Sequence, residues 1–391
     1  MKVVQCLIFI ILITSSLIAM EHVPEAFKNL PKGVQSYIEM LPKIKVEDDA
    51  CPAAKTKVIT DYLLGFGDYS IDVEGRKALE QKIFDCIKDG TPICRCMPGF
   101  PVASGKIPFN DQHCFNMGDL VGLLTRNHIS CEISKVHKPG SSVSIYWEPF
   151  IYDMNRVCQE QLGHPQFAPE RIAFYQNTLK TMISHLEPCV KIGTPNPEAI
   201  TELYRKNYAD IAIPIDQQKL KYYEAFLRED LDSDLWIDRA ECIRFNQEKA
   251  ALESKYPQIK DKSFSTLKSE PIFNKKIKSN LGARKHLNTV ASALAKTVFI
   301  GSQKMALLME KEIPDFHKQI RESVRADKMS VQKKLGTPII YGSTGTPWHK
   351  VLVIESDSVK LVPYKELAKA KPALSYYVIG NLELGYIDKQ K

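Results

Sequence analysis

The chain has 391 residues, of which 44% are hydrophobic and 25% are charged, and its formal net charge is +7. This length is ample for a substantial hydrophobic core in one large domain or two. The charge is modest and spread along the chain, and no segment interleaves basic with aromatic residues. This pattern excludes a nucleic-acid-binding groove, and we expect no nucleic acid as a partner.

The chain begins with an apolar segment. After Met1 and Lys2, residues 3–20 are apolar apart from a few polar positions, and the small residue Ala19 stands near the end of the run. Such a segment is typical of a secretory signal peptide spanning residues 1–19, which predicts a secreted or periplasmic protein with no membrane contact after cleavage. Leu17 fits the cleavage site poorly, and about 18 apolar residues reach the lower limit for a membrane span, so an uncleaved signal anchor is the alternative.

The first part of the mature chain is predicted to be helical. Apolar residues recur at helical spacing within residues 25–90, and turn-forming residues stop the helix at positions 89–92. A loop rich in Pro and Gly follows. The next predicted helix runs from Asn116 to Asn127, because Asn116 is a good N-cap and Asp119 stands at the third helical position.

Strands and helices alternate through the rest of the chain. Residues 129–136 and 143–147 are predicted strands joined by a turn at 137–140, and residues 150–153 form a short third strand. Further helices are predicted at residues 169–186, 219–227, 239–256 and 283–312, and further strands at 338–341, 350–354, 359–363 and 374–387. This order predicts an α/β fold with a mixed central sheet flanked by helices, a helical N-terminal region and a helical insertion.

We expect residues 20–391 to form a single unit with a helical, lysine-rich insertion around residues 195–283. The densest basic stretch runs from Lys255 to Lys285. A solvated lysine-rich loop is the favoured interpretation of that stretch, and attraction of anionic substrates or surfaces is the alternative.

Ten cysteines are present, one of them, Cys6, within the predicted signal peptide. In an oxidising compartment several of the others should form disulfides, and the odd number remaining leaves a free thiol or an intermolecular bridge. Cys94-Arg95-Cys96 lacks the two-residue gap of a usual zinc pair, and Cys114 directly follows His113. We therefore predict no metal site.

The most informative short motif is Thr346-Pro347-Trp348-His349, which lies between two β-like runs. A Trp beside a His offers an apolar plate next to a group that exchanges a proton near neutral pH. The alternative is a Trp-His pair that only packs against its surroundings.

Several segments together resemble the isocyanide synthase family, also called the pyoverdine/dityrosine biosynthesis proteins. Residues 99–104 (GFPVAS) resemble that family's F-P-F-K-S segment, and residues 138–145 with 150–153 resemble its P-G-A strand and the acidic strand after it. Residues 320–325 (IRESVR) occupy the place of its R-L-S-I-H segment, and residues 346–349 match its T-P-W-H without change. The segments come in the family order.

The resemblance implies an α/β fold and a reaction in which the α-amine of an amino acid, usually tyrosine or tryptophan, becomes an isonitrile. Ribulose 5-phosphate supplies the carbon, so the expected partners are small molecules, an amino acid and a sugar phosphate. The resemblance implies no metal and no bound cofactor. Such chemistry needs an anion site, a proton shuttle and an apolar plate for an aromatic side chain.

The resemblance implies three candidate catalytic residues. His349 is the candidate acid/base, Arg321 the clamp for a carboxylate or phosphate, and Asp153 a group that orients a cation or accepts a hydrogen bond from the substrate amine. Arg321 in a surface ion pair and Asp153 at the end of a strand remain the alternatives.

Four further residues are candidates for substrate binding. Trp348 is the candidate plate, although a core position is equally compatible with the sequence, and Ser323 would donate a hydrogen bond. Ser104 belongs to the first matching segment, and Lys106 follows two residues later, where its ammonium group would reach the same space.

The sequence departs from the family pattern at chemically active positions. Ala103 stands where the family has Lys, Arg325 stands where it has His, and Glu148-Pro149 replaces its common Asp-Gly. A guanidinium does not exchange a proton near neutral pH, so Arg325 does not replace an imidazole. These departures, together with the predicted export away from cytosolic ribulose 5-phosphate, leave an alternative open. In that alternative the protein is a catalytically inactive, exported family member that binds a small ligand or a partner protein.

Overall fold

The computed structural model describes most of the chain after the N-terminal apolar segment. The described residues are 23–47, 50–65, 73–100, 115–147, 157, 160–161, 169–193, 197–207, 209–232, 234–315, 318, 324–325, 350–355, 358–363 and 374–389. The predicted signal peptide and the predicted strands at 150–153 and 338–341 lie outside these residues.

The N-terminal region is helical, as predicted. A 3-10 turn at Glu25–Phe27 precedes helices α1 (Lys32–Glu39), α2 (Pro52–Gly65) and α3 (Val73–Asp89). Helix α1 buries Val34 and Ile38, and helices α2 and α3 pack against each other. The region therefore contributes to the main core.

The middle of the chain alternates strands with helices. Its elements are β1 (Ile93–Phe100), β2 (Phe115–Asn116), α4 (Met117–Val136), β3 (Ser141–Trp147), α5 (Pro169–Ser184) and β4 (Val190–Ile192). A run of helices follows: α6 (Pro197–Asn207), α7 (Gln217–Leu231), α8 (Asp234–Lys255), the short α9 (Phe264–Lys268) and the long α10 (Ala283–Glu312). The bounds of α10 are those predicted from the sequence.

The described C-terminal elements are all strands. They are β5 (Val324–Arg325), β6 (Lys350–Glu355), β7 (Ser358–Pro363), β8 (Leu374–Ile379) and β9 (Leu382–Asp388). The predicted strand at 374–387 is thus a pair of strands, and the turn between them contains Gly380, whose φ of 59° favours glycine.

The strands form two sheets. The first has four parallel strands in the order β4-β3-β1-β5, with Ile93 opposite Ser141 and Arg95 opposite Val324. The second is mixed: β2 and β6 are parallel to β9, whereas β7 is antiparallel to β6 and β8 is antiparallel to β9. Strands interleaved with helices confirm the predicted α/β class.

Helix α4 is the central element of the molecule. It contacts β3 and β4 of the parallel sheet, β6 and β9 of the mixed sheet, and helices α1 and α2. Every residue of α4 is buried except Ser134 and Lys135. Its leucines, isoleucines and valines join the largest hydrophobic core, which also includes Ile93, Ile145 and Leu384.

The predicted strand at residues 129–136 is wrong, because these residues are the second half of α4. A helix enclosed by two sheets buries all its faces, so its apolar residues show no helical period. The β-branched Ile129 and Ile133 then favour a strand interpretation. The predicted turn at 137–140 is confirmed, and it joins α4 to β3 rather than strand to strand. Gly140 has a φ of 85° there, and a Cβ at this position would lie 3.2 Å from Ser134 Oγ.

Helices α6 to α10 carry their own hydrophobic clusters. Helix α10 packs on α7 and α8, and Val290 lies in one cluster with Trp236, while Phe299 lies in another with Leu220. A separate cluster around Phe245 and Phe273 holds the shorter helical segments after α8.

The lysine-rich stretch is not the loop that the sequence favoured. It forms the end of α8, two 3-10 turns, α9 and a π-helical turn, and several of its lysines are in ion pairs. Lys262 Nζ lies 2.8 Å from Glu270, Lys278 Nζ lies 3.1 Å from the buried Glu241, and Lys268 pairs with Asp238. These pairs neutralise part of the stretch. That the whole segment is an insertion stays a prediction.

Candidate functional site

The seven site residues predicted from the sequence lie outside the described residues. They are Ser104, Lys106, Asp153, Arg321, Ser323, Trp348 and His349. Their proposed meeting in one cavity therefore stays a prediction, and the described elements on either side of them define the framework of the candidate site.

Two of the predicted segments follow neighbouring strands of the parallel sheet. The segment with Ser104 and Lys106 follows β1, and Asp153 follows β3. Strands β1 and β3 pair in parallel from Ile93↔Ser141 to Phe100↔Trp147, so their carboxyl ends share one edge of the sheet. In open α/β sheets this edge is where ligands bind.

The other predicted segments precede strands. Ser323 is followed by β5, which pairs with the middle of β1, and His349 is followed by Lys350, the first residue of β6 in the mixed sheet. The segment with Ser323 thus precedes a strand of the parallel sheet, and the segment with His349 precedes a strand of the mixed sheet. Helix α4 contacts both sheets between them.

The C-terminal end of α4 lies at the amino edge of β1. There His137 after α4 contacts the carbonyl oxygen of Thr91 at 2.7 Å, and Ser141 Oγ donates to Ile93 O at 3.0 Å. An α-helix of 20 residues and a strand of 8 are both roughly 26–30 Å long, so the two elements run antiparallel over matching lengths. The first turn of α4 therefore reaches the edge at which β1 and β3 end.

That first turn is capped and carries a buried acid. The Asn116 side chain accepts a hydrogen bond from Gly118 N at 3.0 Å, which confirms the predicted N-cap. Asp119 is only 1% exposed and stands in the same turn. A carboxylate at a helix N-terminus is stabilised by the helix dipole.

One face of α4 carries a line of polar residues that begins at Asp119 and reaches Arg95 of β1. We call Asp119, Gly122, Arg126 and Ser130 the α4 polar face, because their spacing of three and four residues places them on one side of the helix. Arg126 Nη1 donates to Gly122 O at 2.6 Å. Arg95 of β1 donates through Nη2 to Arg126 O at 3.2 Å and to Ser130 Oγ.

The α4 polar face brings charge into the core. Arg95 and Arg126 are both 0% exposed, and fully buried arginines are rare outside paired or functional settings. Guanidinium groups suit carboxylates and phosphates, the anions of an amino acid and a sugar phosphate. No role was predicted for Arg95 or Arg126 from the sequence. The signal for the α4 polar face was the spacing of Asp119 and Arg126, two charged residues that stand seven positions apart in a largely apolar run.

The opposite face of α4 holds the N-terminal segment. The His128 ring contacts Pro42 O through Nε2 at 2.9 Å, and Glu132 Oε2 accepts from Ile44 N at 2.9 Å. Burial lowers the pKa of His128, against the opposing effect of its hydrogen bond to Pro42. These two residues anchor the chain, and they face away from Arg126.

Six described cysteines form no disulfide with one another: Cys51, Cys86, Cys94, Cys131, Cys189 and Cys242. The predicted disulfides are therefore not seen among them. In the described part of the chain, no three His, Cys, Asp or Glu side chains are grouped to hold a metal ion. None of the helices in this described part of the chain has the length and hydropathy needed to span a membrane.

Comparison with known proteins adds a family. A family model described as pyoverdine/dityrosine biosynthesis protein matches residues 83–374, a range that contains α4, the parallel sheet and all seven predicted site residues. The crystal structure of the PvcA protein from Pseudomonas aeruginosa is similar to this chain at 16% sequence identity and a TM-score of 0.45. The alignment covers 84% of this chain and 99% of that chain. None of the curated proteins matches this chain.

Proposed function

This chain belongs to the pyoverdine/dityrosine biosynthesis protein family, and we propose that it is an isocyanide-synthase-like protein that acts on the amine of an amino acid. The parent reaction joins an aromatic amino acid to a carbon of ribulose 5-phosphate and yields an isonitrile. The observation that carries the proposal is the ordered set of motifs inside the matched range, ending in the unchanged Thr346-Pro347-Trp348-His349.

In this proposal His349 moves protons during carbinolamine and imine formation, a task for a group with a pKa near the working pH. Arg321 holds a carboxylate or phosphate, with Ser323 as a hydrogen-bond donor, and Asp153 binds the substrate amine. Trp348 seats the aromatic ring, while Ser104 and Lys106 approach from the segment after β1. The common carboxyl edge of β1 and β3 supports the part of this site that contains Ser104, Lys106 and Asp153.

The α4 polar face extends the proposed site into the core. Asp119 stands in the first turn of α4. On the same face Arg126 donates to Gly122 O, and Arg95 donates to Arg126 O and Ser130 Oγ. We propose that Asp119 helps to position the amine end of the substrate, and that Arg126 and Arg95 keep the local potential positive for its anionic groups.

The test is the reaction itself. Purified protein is incubated with tyrosine or tryptophan and ribulose 5-phosphate, and the isonitrile is sought by mass spectrometry, with an active family member as the positive control. We expect product from the wild type and a loss of at least about 100-fold in His349→Ala, since general acid–base catalysis contributes 10²–10⁴-fold.

A matched control is His286→Ala, which removes an exposed imidazole on α10 whose Nε2 contacts Gln161 O. It should retain wild-type activity. A His349→Ala protein that remains as active as the His286→Ala protein would contradict the role of His349, and absence of isonitrile from the wild type would remove the parent reaction.

A catalytically inactive binding protein is the second candidate, favoured by Ala103 and Arg325 at positions where the family has Lys and His. Calorimetric titration with tyrosine, tryptophan and ribulose 5-phosphate separates the two. Binding of an amino acid without turnover supports the second candidate, whereas binding with isonitrile formation supports the first.

We also propose that the protein is exported, because residues 1–19 have the pattern of a signal peptide. N-terminal sequencing of the protein secreted by its host, or recovered from the periplasm, tests this proposal. A mature chain that begins after Ala19 is the expected result, and intact protein in the cytosol would contradict it.

A further inference from the structure

Two buried cysteines from distant parts of the chain lie side by side. Cys131 of α4 and Cys189, the residue before β4, have their Sγ atoms 3.9 Å apart although 58 positions separate them in sequence. Cys131 is 3% exposed and Cys189 is 2% exposed. Neither cysteine belongs to the α4 polar face or to the predicted site residues.

The geometry points to Cys131 and Cys189 as a redox-convertible pair that closes to a disulfide joining α4 to the start of β4. A disulfide bond is about 2.05 Å long, so the two sulfurs must approach by roughly 1.9 Å. Rotation of two short side chains and a small backbone adjustment provide an approach of this size. The inference is independent of the proposed catalytic function.

The backbones next to the two sulfurs are already joined. Ser130, which precedes Cys131, donates through Oγ to the carbonyl oxygen of Cys189 at 3.2 Å, and Arg95 donates to the same hydroxyl. Val143 N of β3 also donates to Cys189 O, at 2.8 Å. Because these bonds hold the two segments together, closure of the disulfide requires little further ordering of the chain.

The two thiols are not equivalent. A hydrogen bond from Cys131, assisted by the nearby Arg95 guanidinium, lowers the pKa of Cys189 despite its burial. The same hydrogen bond and burial raise the pKa of Cys131. The thiolate is the reactive form, so Cys189 is the attacking sulfur.

Cys189 also adjoins an exposed turn. It follows Glu187 and Pro188, two exposed residues in the turn after α5. Local opening of that turn is sufficient to admit a small disulfide such as glutathione disulfide.

The exchange proceeds in two steps. The Cys189 thiolate attacks one sulfur of glutathione disulfide, which forms a mixed disulfide and releases one glutathione thiolate. The Cys131 thiol then gives its proton to solvent and attacks Cys189 Sγ, which expels the second glutathione. The protein pair loses two electrons, and glutathione disulfide, the oxidant, gains them and becomes two glutathione thiols.

The test is a peptide map of the native chain. The folded protein is incubated with glutathione disulfide, alkylated, digested with trypsin and analysed without reduction. The two cysteines lie in different tryptic peptides, residues 127–135 and 181–191, and neither peptide contains another cysteine. We expect these two peptides to be linked, and dithiothreitol to separate them.

A control shows that the oxidant is active and specific. Glutathionylation of the exposed Cys51 in the same sample reports that the donor has reacted. Absence of the linked peptide while Cys51 is modified would overturn the inference, as would a link between Cys189 and a different cysteine.

Variants give a second measurement. The disulfide closes a loop of 58 positions and should raise the Tm of the oxidised wild type by several degrees over the reduced protein. Cys131→Ser should abolish this difference, and Cys242→Ser, which changes a free cysteine on α8, should preserve it. If Cys131→Ser does not fold, the peptide map of the wild type decides alone.

Discussion

At the scale of single residues, α4 places opposite chemistry on opposite sides. Residues on an α-helix turn by about 100° each, so His128 and Glu132 point roughly 120–180° away from Asp119 and Arg126. The first pair holds the N-terminal segment at Pro42 and Ile44. The second pair lies on the side of β1. One side of α4 thus anchors the N-terminal segment, and the other side faces the candidate site.

We predict that His128 makes the stability of the protein depend on pH. Its pKa is lowered in the folded state by burial, whereas in the unfolded chain it is near 6.5. Above pH about 6.5 both states carry a neutral ring. As the pH falls below that value, the unfolded state takes up a proton first, and stability is lost by up to about 1.4 kcal/mol per pH unit.

The measurement is urea unfolding of the wild type and His128→Gln at pH 7.5 and 5.5. The charged groups that act on the ring, Glu132, Lys135 and Lys43, are the same in both proteins. We expect a smaller loss of unfolding free energy in His128→Gln, and wild-type behaviour in His286→Gln. An equal loss in all three proteins would show that His128 does not titrate with unfolding.

The positions of Asn116 and Asp119 at the start of α4 were predicted correctly, because a helix cap depends only on neighbouring residues in the sequence. It did not predict that Arg95 and Arg126 are buried. Arginine is usually exposed, and its burial here depends on two sheets closing over α4, which no local pattern records. The seven residues assigned by resemblance remain predictions, since resemblance gives their identity without their positions in space.

At the scale of elements, prediction succeeded where a segment has one exposed face or clear ends. Helix α10 was predicted with its observed bounds, and the strands β6 and β7 were each predicted to within one residue at either end, although their pairing was not predicted. The second half of α4 was assigned to a strand because complete burial removes the helical period. The two-sheet arrangement depends on long-range pairing and was not accessible from local patterns.

We predict that Asn116→Ala destabilises the protein by about 1–2 kcal/mol, because the buried Gly118 amide loses its acceptor at the start of the central helix. Asn116→Asp should retain most of the stability, since its carboxylate accepts the same bond and suits the helix dipole. Urea unfolding measures both changes.

A matched cap provides the control. Ser263 caps the short α9 by accepting from Thr266 N at 3.1 Å, at an exposed position. Ser263→Ala should change the unfolding free energy by less than Asn116→Ala does. A larger effect at Ser263 would show that the α4 cap has little influence on global stability.

At the scale of the whole molecule, α10 supports the helical part of the chain. It contributes Met305 to a cluster with Tyr204 of α6, Phe299 to one with Leu220 of α7, and Val290 to one with Trp236 of α8. The largest core contains none of these residues. Helices α6, α7 and the first half of α8 therefore bury apolar residues against α10, whereas α9 packs in the separate cluster around Phe245 and Phe273.

We predict that a fragment of residues 195–315 folds cooperatively and that a fragment of residues 195–282, which lacks α10, does not. Isolated helices are marginal in water without tertiary packing. Far-UV circular dichroism during urea titration distinguishes a sigmoidal transition from a gradual loss of signal.

Val290→Asp in the longer fragment is the control, because it places a charge in a cluster where Val290 is 0% exposed. It should abolish the cooperative transition. If the short fragment unfolds as cooperatively as the long one, the helices before α10 form an independent unit.

The parallel pairing of β2 with β9 also affects how the chain is made. Phe115 and Asn116 lie beside Leu384 and Gly385, so the start of α4 is adjacent to a strand that is synthesised after the whole helical region. Loops that span most of a chain close slowly, and incomplete cores aggregate. During synthesis the side of α4 that contacts β6 and β9 stays uncovered while the whole helical region is produced. We therefore expect its yield, more than its final stability, to depend on chaperones that shield this helix until the C-terminal strands arrive.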